Sequence, residues 1–259
     1  MRRALTRLAL AMLLVAAGAA PLAAQQDLNA KFGAFLETTI KPAARKAGVP
    51  EAVLTRELHR LTPDTRLPGL GNPDGPERPA AVNYQAEFRA PAGYFKASAF
   101  KAHVARGRKL AKTHASLLLR IERRYGVPGR IVLAIWARES GYGAARIPHD
   151  ALRTLATRAF MGDRRDYFAG ETVAALQILA EGHISRQRLR SSWGGALGQP
   201  QFMPSSYLRL AVDFDGDGSR DIWRSVPDTL ASIAKYLAWH GWVKGRDWGY
   251  EAVIPDSVS

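Results

Sequence analysis

The chain has 259 residues, 47% apolar and 23% charged, which suits one large or two small globular domains and excludes a disordered or fibrous protein. It contains no cysteine, so disulfides, thiolate metal centres and a cysteine nucleophile are all excluded. Its 37 Lys and Arg against 23 Asp and Glu give a formal charge of +14, and a chain this basic is drawn to polyanions.

Arg2, Arg3 and Arg7 precede an apolar run from Leu8 to Leu22 that ends at the small residues Ala23 and Ala24. The run is shorter than the roughly 20 residues that span a bilayer. Residues 1–24 therefore read as a secretory signal peptide, with an uncleaved anchor as the alternative. No second long apolar stretch follows, so a soluble exported protein is expected. Export turns the positive charge away from nucleic acid and towards anionic glycopeptide and lipid head groups.

From Phe32 to about Leu61, Phe32, Phe35, Leu36, Ile40, Val53, Leu54 and Leu58 recur at helical spacing. Breaks at Lys41-Pro42 and Gly48-Val49-Pro50 predict two short helices. Six prolines between Pro63 and Pro91 predict an irregular surface loop, so residues 25–93 form an N-terminal region of helices and loop. Residues 94–245 form the main domain and 246–259 a tail. Phe100, Val104, Leu110, Leu117 and Ile121 predict one long amphipathic helix ending at Gly126-Val127-Pro128. The next helix carries Ile131 to Trp136, apolar all round and expected to be buried, and stops at Glu139-Ser140-Gly141-Tyr142-Gly143. Further helical patterns lie around Leu152 to Phe160, Tyr167 to Ala180, Ser205 to Ala211 and Asp228 to Trp239. Strand-like alternation is scarce, and the fold class is mainly α.

Glu139 shares a helical face with Ile131 and Ile135. Partial desolvation and the negative end of the helix dipole both oppose its ionisation and raise its pKa. That is the environment of a general acid. The alternative is a helix-end glutamate paired with Arg138. Gly194 to Gly198 lacks the Lys-Ser or Lys-Thr of a phosphate loop, and the six histidines show no ligand spacing, so no catalytic zinc is expected. Asp213, Asp215, Asp217 and Gly218 reproduce the opening of an EF-hand loop, where alternate oxygens meet a hard cation. Position 12 of such a loop is Arg224, which cannot ligate. The alternative is a solvated turn with Asp228 capping the helix after Pro227.

The runs 135–143 and 194–207, with Ala211-Val212-Asp213-Phe214-Asp215-Gly216-Asp217-Gly218, Tyr236 and His240-Gly241-Trp242, resemble the membrane-bound lytic transglycosylase B family. The resemblance covers about Phe32 to Trp242. It implies a lysozyme-like helical catalytic domain, a lytic murein transglycosylase acting on peptidoglycan in the periplasm, and Glu139 as the single catalytic acid and base. It implies cleavage between N-acetylmuramic acid and N-acetylglucosamine, with the muramic 6-hydroxyl closing a 1,6-anhydro ring. One carboxylate then suffices where ordinary glycosidases need two. It implies that Ser192 hydrogen-bonds the catalytic carboxyl or the substrate, that Gln201 contacts substrate and that Tyr94, Tyr167 and Tyr236 line the groove. It also implies a structural calcium ion held by Asp213, Asp215, Asp217 and the Ser219 carbonyl, with Asp228 closing a longer loop. No organic cofactor is implied. The sequence departs in ending at Ser259, where relatives continue, and in placing Arg138 where an aliphatic residue is usual. The competing functions are a hydrolytic muramidase and a non-catalytic peptidoglycan-binding, calcium-stabilised scaffold.

Overall fold

In the computed structural model, residues 24–76, 97–246 and 249 are described. Most of the signal peptide, the later part of the Pro-rich stretch, Tyr94 and most of the tail lie outside them. The described chain is helical with one short two-stranded ribbon. The helices are α1 (24–35), α2 (Lys41–Lys46), α3 (Glu51–Leu58), α4 (Ala97–Thr113), α5 (Ala115–Tyr125), α6 (Gly129–Ser140), α7 (Ala151–Met161), α8 (Arg165–Glu181), α9 (Pro204–Leu210) and α10 (Val226–Trp239). Strands β1 (His149–Asp150) and β2 (Arg190–Ser191) pair antiparallel.

The chain divides into two compact units, each built from two stretches. The first takes the described parts of Met1–Asn83 with Ile147–Leu208. Its centre is α7, in which every residue but Arg153 is buried. Ala151, Ala156 and Ala159 are small enough for neighbouring elements to close in, while the Thr157 hydroxyl donates to the Arg153 carbonyl and accepts from the Asp64 amide. Phe160 packs edge-on against Phe32 of α1 at 5.4 Å between centroids. The expected break at Lys41-Pro42 is absent. A π-helical turn, Leu36–Ile40, carries α1 straight into α2, and Pro42 follows that wider turn directly, in the first turn of α2.

Residues 61–76 are irregular, as the prolines predict, yet three arginines pin them down. Arg153 donates to the carbonyls of Thr62 and Pro63, Arg158 to that of Pro68, and Arg165 to those of Asn72 and Pro73. The Gly71 amide donates to the Met161 carbonyl at 2.6 Å.

The second unit takes the described parts of Tyr84–Arg146 and Arg209–Ser259. Leu117, Leu118 and Ile121 of α5, Val132, Leu133, Trp136 and Ala137 of α6, and Leu230, Ala231, Ile233 and Ala234 of α10 form its core. The single long helix predicted here is two, divided at His114, whose φ of −106° and ψ of 20° leave helical geometry. Phe100 and Val104, expected near the buried face, are exposed at 44% and 43%. Nor is α6 buried all round. Ala134 is exposed and Ile131 and Ile135 are half-buried, because only one face of α6 meets the core. The helix that is buried nearly all round is α7.

Candidate active site

Glu139 lies in the last turn of α6, in the second unit. Gly141 adopts the left-handed conformation at φ 56°, donating to the Ala137 carbonyl, while the Tyr142 amide reaches back to the Trp136 carbonyl. Ser140 tightens the exit, its hydroxyl donating to the Trp136 carbonyl and accepting from the Gly143 amide. Tyr142 is itself left-handed at φ 59° and buried, its ring edge-on to Trp136. Its hydroxyl donates to the His103 carbonyl of α4 at 2.8 Å. The helix end that carries Glu139 is therefore fixed from three sides.

The Glu139 residue is exposed, yet enough protein surrounds its carboxyl for desolvation to push the pKa above 4.5. The Arg138 charge pulls the other way and is the smaller effect. A carboxyl held towards its protonated form fits a proton donor better than a helix-end ion pair. Arg138 is exposed, which explains why a charge is tolerated there. Tyr236 lies half-buried on α10 in the same unit, 4.3 Å from the His240 ring between centroids.

Ser192, Gln201 and Tyr167 belong to the first unit. The bridges Ser191 to Leu197 and Leu197 to Phe202 fold residues 191–202 into a compact loop that holds Ser192 and Gln201. The Ser192 hydroxyl accepts from the Ala196 amide at 3.2 Å, which leaves its own O–H to donate. Gln201 sits at φ 54°, unusual for a residue with a side chain, and its amide nitrogen donates to the Gly198 carbonyl. Tyr167 opens α8 as an exposed ring with the Arg164 guanidinium 4.6 Å above it. Sequence reasoning misses Glu171, whose buried carboxylate accepts from both the amide and the hydroxyl of Ser205. It clamps the start of α9 just after Gln201. An acid in the otherwise apolar run of α8 is the only trace the sequence holds.

In the aspartate loop, one oxygen from each of Asp213, Asp215 and Asp217 lies within 4.8 Å of the others. The amides of Gly216 and Gly218 donate to Asp213, the Ser219 amide to Asp217 and the Ser225 hydroxyl to Asp215. These bonds hold three carboxylates together against their repulsion, and an all-oxygen set of this kind suits a hard cation. Asp228 stands outside that group. Fully buried, it accepts from the amides of Phe214 and Asp221, both at 2.8 Å, and so ties the two ends of the loop together. Burial pushes its carboxyl up to about 6 although these bonds pull it down, and the Asp215 charge adds to the rise. It does not cap α10: Ser225 does, accepting from the Asp228 amide.

Residues 31–259 match the family model for the transglycosylase SLT domain. Over 122 residues the chain is 42% identical to membrane-bound lytic murein transglycosylase B of Escherichia coli K12, a match spanning 47% of this chain and 34% of that protein. The structure superposes with a TM-score of 0.72 and 32% identity on Pseudomonas aeruginosa SltB3 in complex with NAG-NAM-pentapeptide, covering 87% of this chain and 57% of SltB3. SltB3 has also been solved with NAG-anhNAM-pentapeptide. Escherichia coli Slt35 in complex with calcium superposes with a TM-score of 0.63 and 28% identity, over 85% of this chain and 65% of Slt35. The chain thus spans only part of the length of the relatives it matches. Among the described residues no helix is long and apolar enough to cross a membrane.

Proposed function

Because the chain belongs to the transglycosylase SLT domain family, we propose that it is a lytic murein transglycosylase, cleaving peptidoglycan strands between N-acetylmuramic acid and N-acetylglucosamine. The observation that carries this reading is the desolvated Glu139 carboxyl at a fixed helix end. Protonated Glu139 gives its proton to the glycosidic oxygen as the bond from muramic C1 breaks. The resulting carboxylate then takes the proton of the muramic 6-hydroxyl as that oxygen bonds to C1. The glutamic acid is regenerated and no water is consumed. SltB3 in complex with NAG-anhNAM-pentapeptide supports an anhydro end in this family.

Ser192 and Gln201, held in their compact loop, donate to the substrate, and Tyr94, Tyr167 and Tyr236 stack on sugar rings. Asp213, Asp215 and Asp217 hold a calcium ion with the Ser219 carbonyl. A carboxylate has lone pairs beyond the two amides it accepts from, so Asp228 is able to complete the set. The ion is structural, bracing the loop that leads into α10, because calcium supplies no proton. The basic chain acts on the anionic wall outside the cytoplasm, in the periplasm, after export by its signal segment.

The test is digestion of purified sacculi with mass identification of the released muropeptides. Products ending in 1,6-anhydromuramic acid, one water lighter than hydrolytic products, are expected. Exclusively reducing-end muramic acid would overturn the proposal in favour of a muramidase.

A further inference from the structure

Trp193 follows Ser192 and is exposed at 50%. A single exposed aromatic is ordinary on a protein surface; what sets this one apart is how it is held. Arg158 of α7 is only 4% exposed. Its Nε donates to the Trp193 carbonyl at 2.9 Å, and its guanidinium carbon lies 5.0 Å from the centroid of the Trp193 ring. The same guanidinium lies 5.4 Å from the Phe168 ring and donates to the Pro68 carbonyl at 3.2 Å. One buried cation thus grips both the backbone and the ring of Trp193.

Burying a guanidinium is unfavourable in itself, and the desolvation is strong enough to lower the Arg158 pKa. The residues around Trp193 are equally confined. A Cβ on Gly195 would come within 2.4 Å of Leu155 Cδ2, so only glycine lets the loop lie this close on α7, and its φ of 91° excludes other residues as well. Ser192 is tied across the turn to Ala196 by its amide and its hydroxyl. The indole is consequently presented in one orientation before any ligand arrives, which lowers the entropy lost on binding.

We propose that Trp193 is a glycan-stacking residue, taking the apolar face of an N-acetylhexosamine ring of the strand, and that Arg158 is its positioning residue. An indole suits the C–H face of a pyranose. With Arg158 already drawing on the negative potential of the ring, the exposed side favours a neutral sugar over a second cation. The proposal rests on the transglycosylase reading above.

The experiment measures kcat and KM on soluble peptidoglycan strands, melting temperature, and tryptophan emission during glycan titration of the non-cleaving Glu139→Gln background. Trp193→Ala is expected to raise KM about tenfold, as a stacking contact of about 1.5 kcal/mol implies, with kcat changed less than about threefold on the same scale. Trp193→Phe should retain most of the affinity but remove the emission change that sugar binding causes in the tryptophan-containing protein. Arg158→Met, which keeps bulk but no charge or donors, should weaken binding in the same direction. Unchanged KM in a Trp193→Ala variant that melts like the wild type would overturn the proposal, as would an identical emission change in Trp193→Phe. Failure of the wild type itself to bind or digest the strands would instead overturn the transglycosylase reading.

Discussion

At Glu139, activity and stability pull against one another. The proposed reaction uses the protonated Glu139 carboxyl, and desolvation favours that form, so the alkaline limb of the activity profile should lie above the ordinary carboxylate value of 4.5. The same shift has a sign for folding. The folded chain holds this proton more tightly than the unfolded chain, so its contribution to stability is complete below about pH 4.5 and is lost as pH rises through the folded pKa. Glu139→Gln keeps the shape and removes the titration. The variant should melt higher than the wild type at neutral pH, with the gap closing towards pH 4, and thermal melts across that range check it. Turnover of sacculi should fall about 10³ to 10⁴-fold while binding persists. A variant keeping about a tenth of the wild-type rate would move the proton to another residue. The helix-end placement of Glu139 is legible in the sequence because helix face, terminating glycine and carboxylate lie within a few consecutive residues. Arg158 is not, since its partners lie 35 residues away at Trp193 and 90 away at Pro68.

Two elements lend themselves to direct tests. In α4, a Cβ on Gly107 would sit 2.5 Å from the Tyr142 hydroxyl, so the helix keeps glycine where alanine would favour it by about 1 kcal/mol. Gly107→Ala should nevertheless destabilise the protein, by about 1 to 3 kcal/mol, because a buried ring bonded to the His103 carbonyl must move. Combined with Tyr142→Phe, which removes the clashing oxygen, the penalty should shrink. A double-mutant cycle showing simple additivity would refute that coupling. In the aspartate loop, Asp217→Ala should abolish a calcium-induced rise in melting temperature while leaving the protein in chelator little changed. Asp228→Ala should act without any metal, because two amides lose their acceptor at about 1 to 3 kcal/mol each. Denaturant titrations in calcium and in chelator separate the two. The sequence displays the aspartate spacing but conceals the difference in burial: a buried acid bonded to backbone amides looks no different in the chain from an exposed one. The spacing also hides the burial of α7, where Thr154, Thr157 and Arg158 make a central helix look amphipathic.

For the molecule as a whole, the strong positive charge, which persists without Arg2, Arg3 and Arg7 of the expected signal peptide, bears on encounter with the proposed anionic substrate more than on folding. Adsorption of Glu139→Gln to sacculi should weaken as salt rises from about 0.05 to 0.5 M, where screening shortens the reach of charge to a few ångströms. Adsorption insensitive to salt would assign binding to stacking and hydrogen bonds alone. Helix existence and order are largely readable from the periodic apolar residues. Which stretches pack together is not, because each unit is assembled from segments far apart in the chain, and periodicity describes only the face a helix buries, never the partner it buries it against. The irregular residues 61–76 carry a further consequence. Arg153, Arg158 and Arg165 stitch them to α7 and α8 through backbone carbonyls, and Lys31 reaches Asp74 at 2.7 Å. A segment with no helix or strand of its own is thereby denied the local opening that amide exchange and endoproteases both require. The Gly71 amide should exchange as slowly as those of the helices it leans on, and Arg66, although it projects into solvent, should be a poor tryptic site.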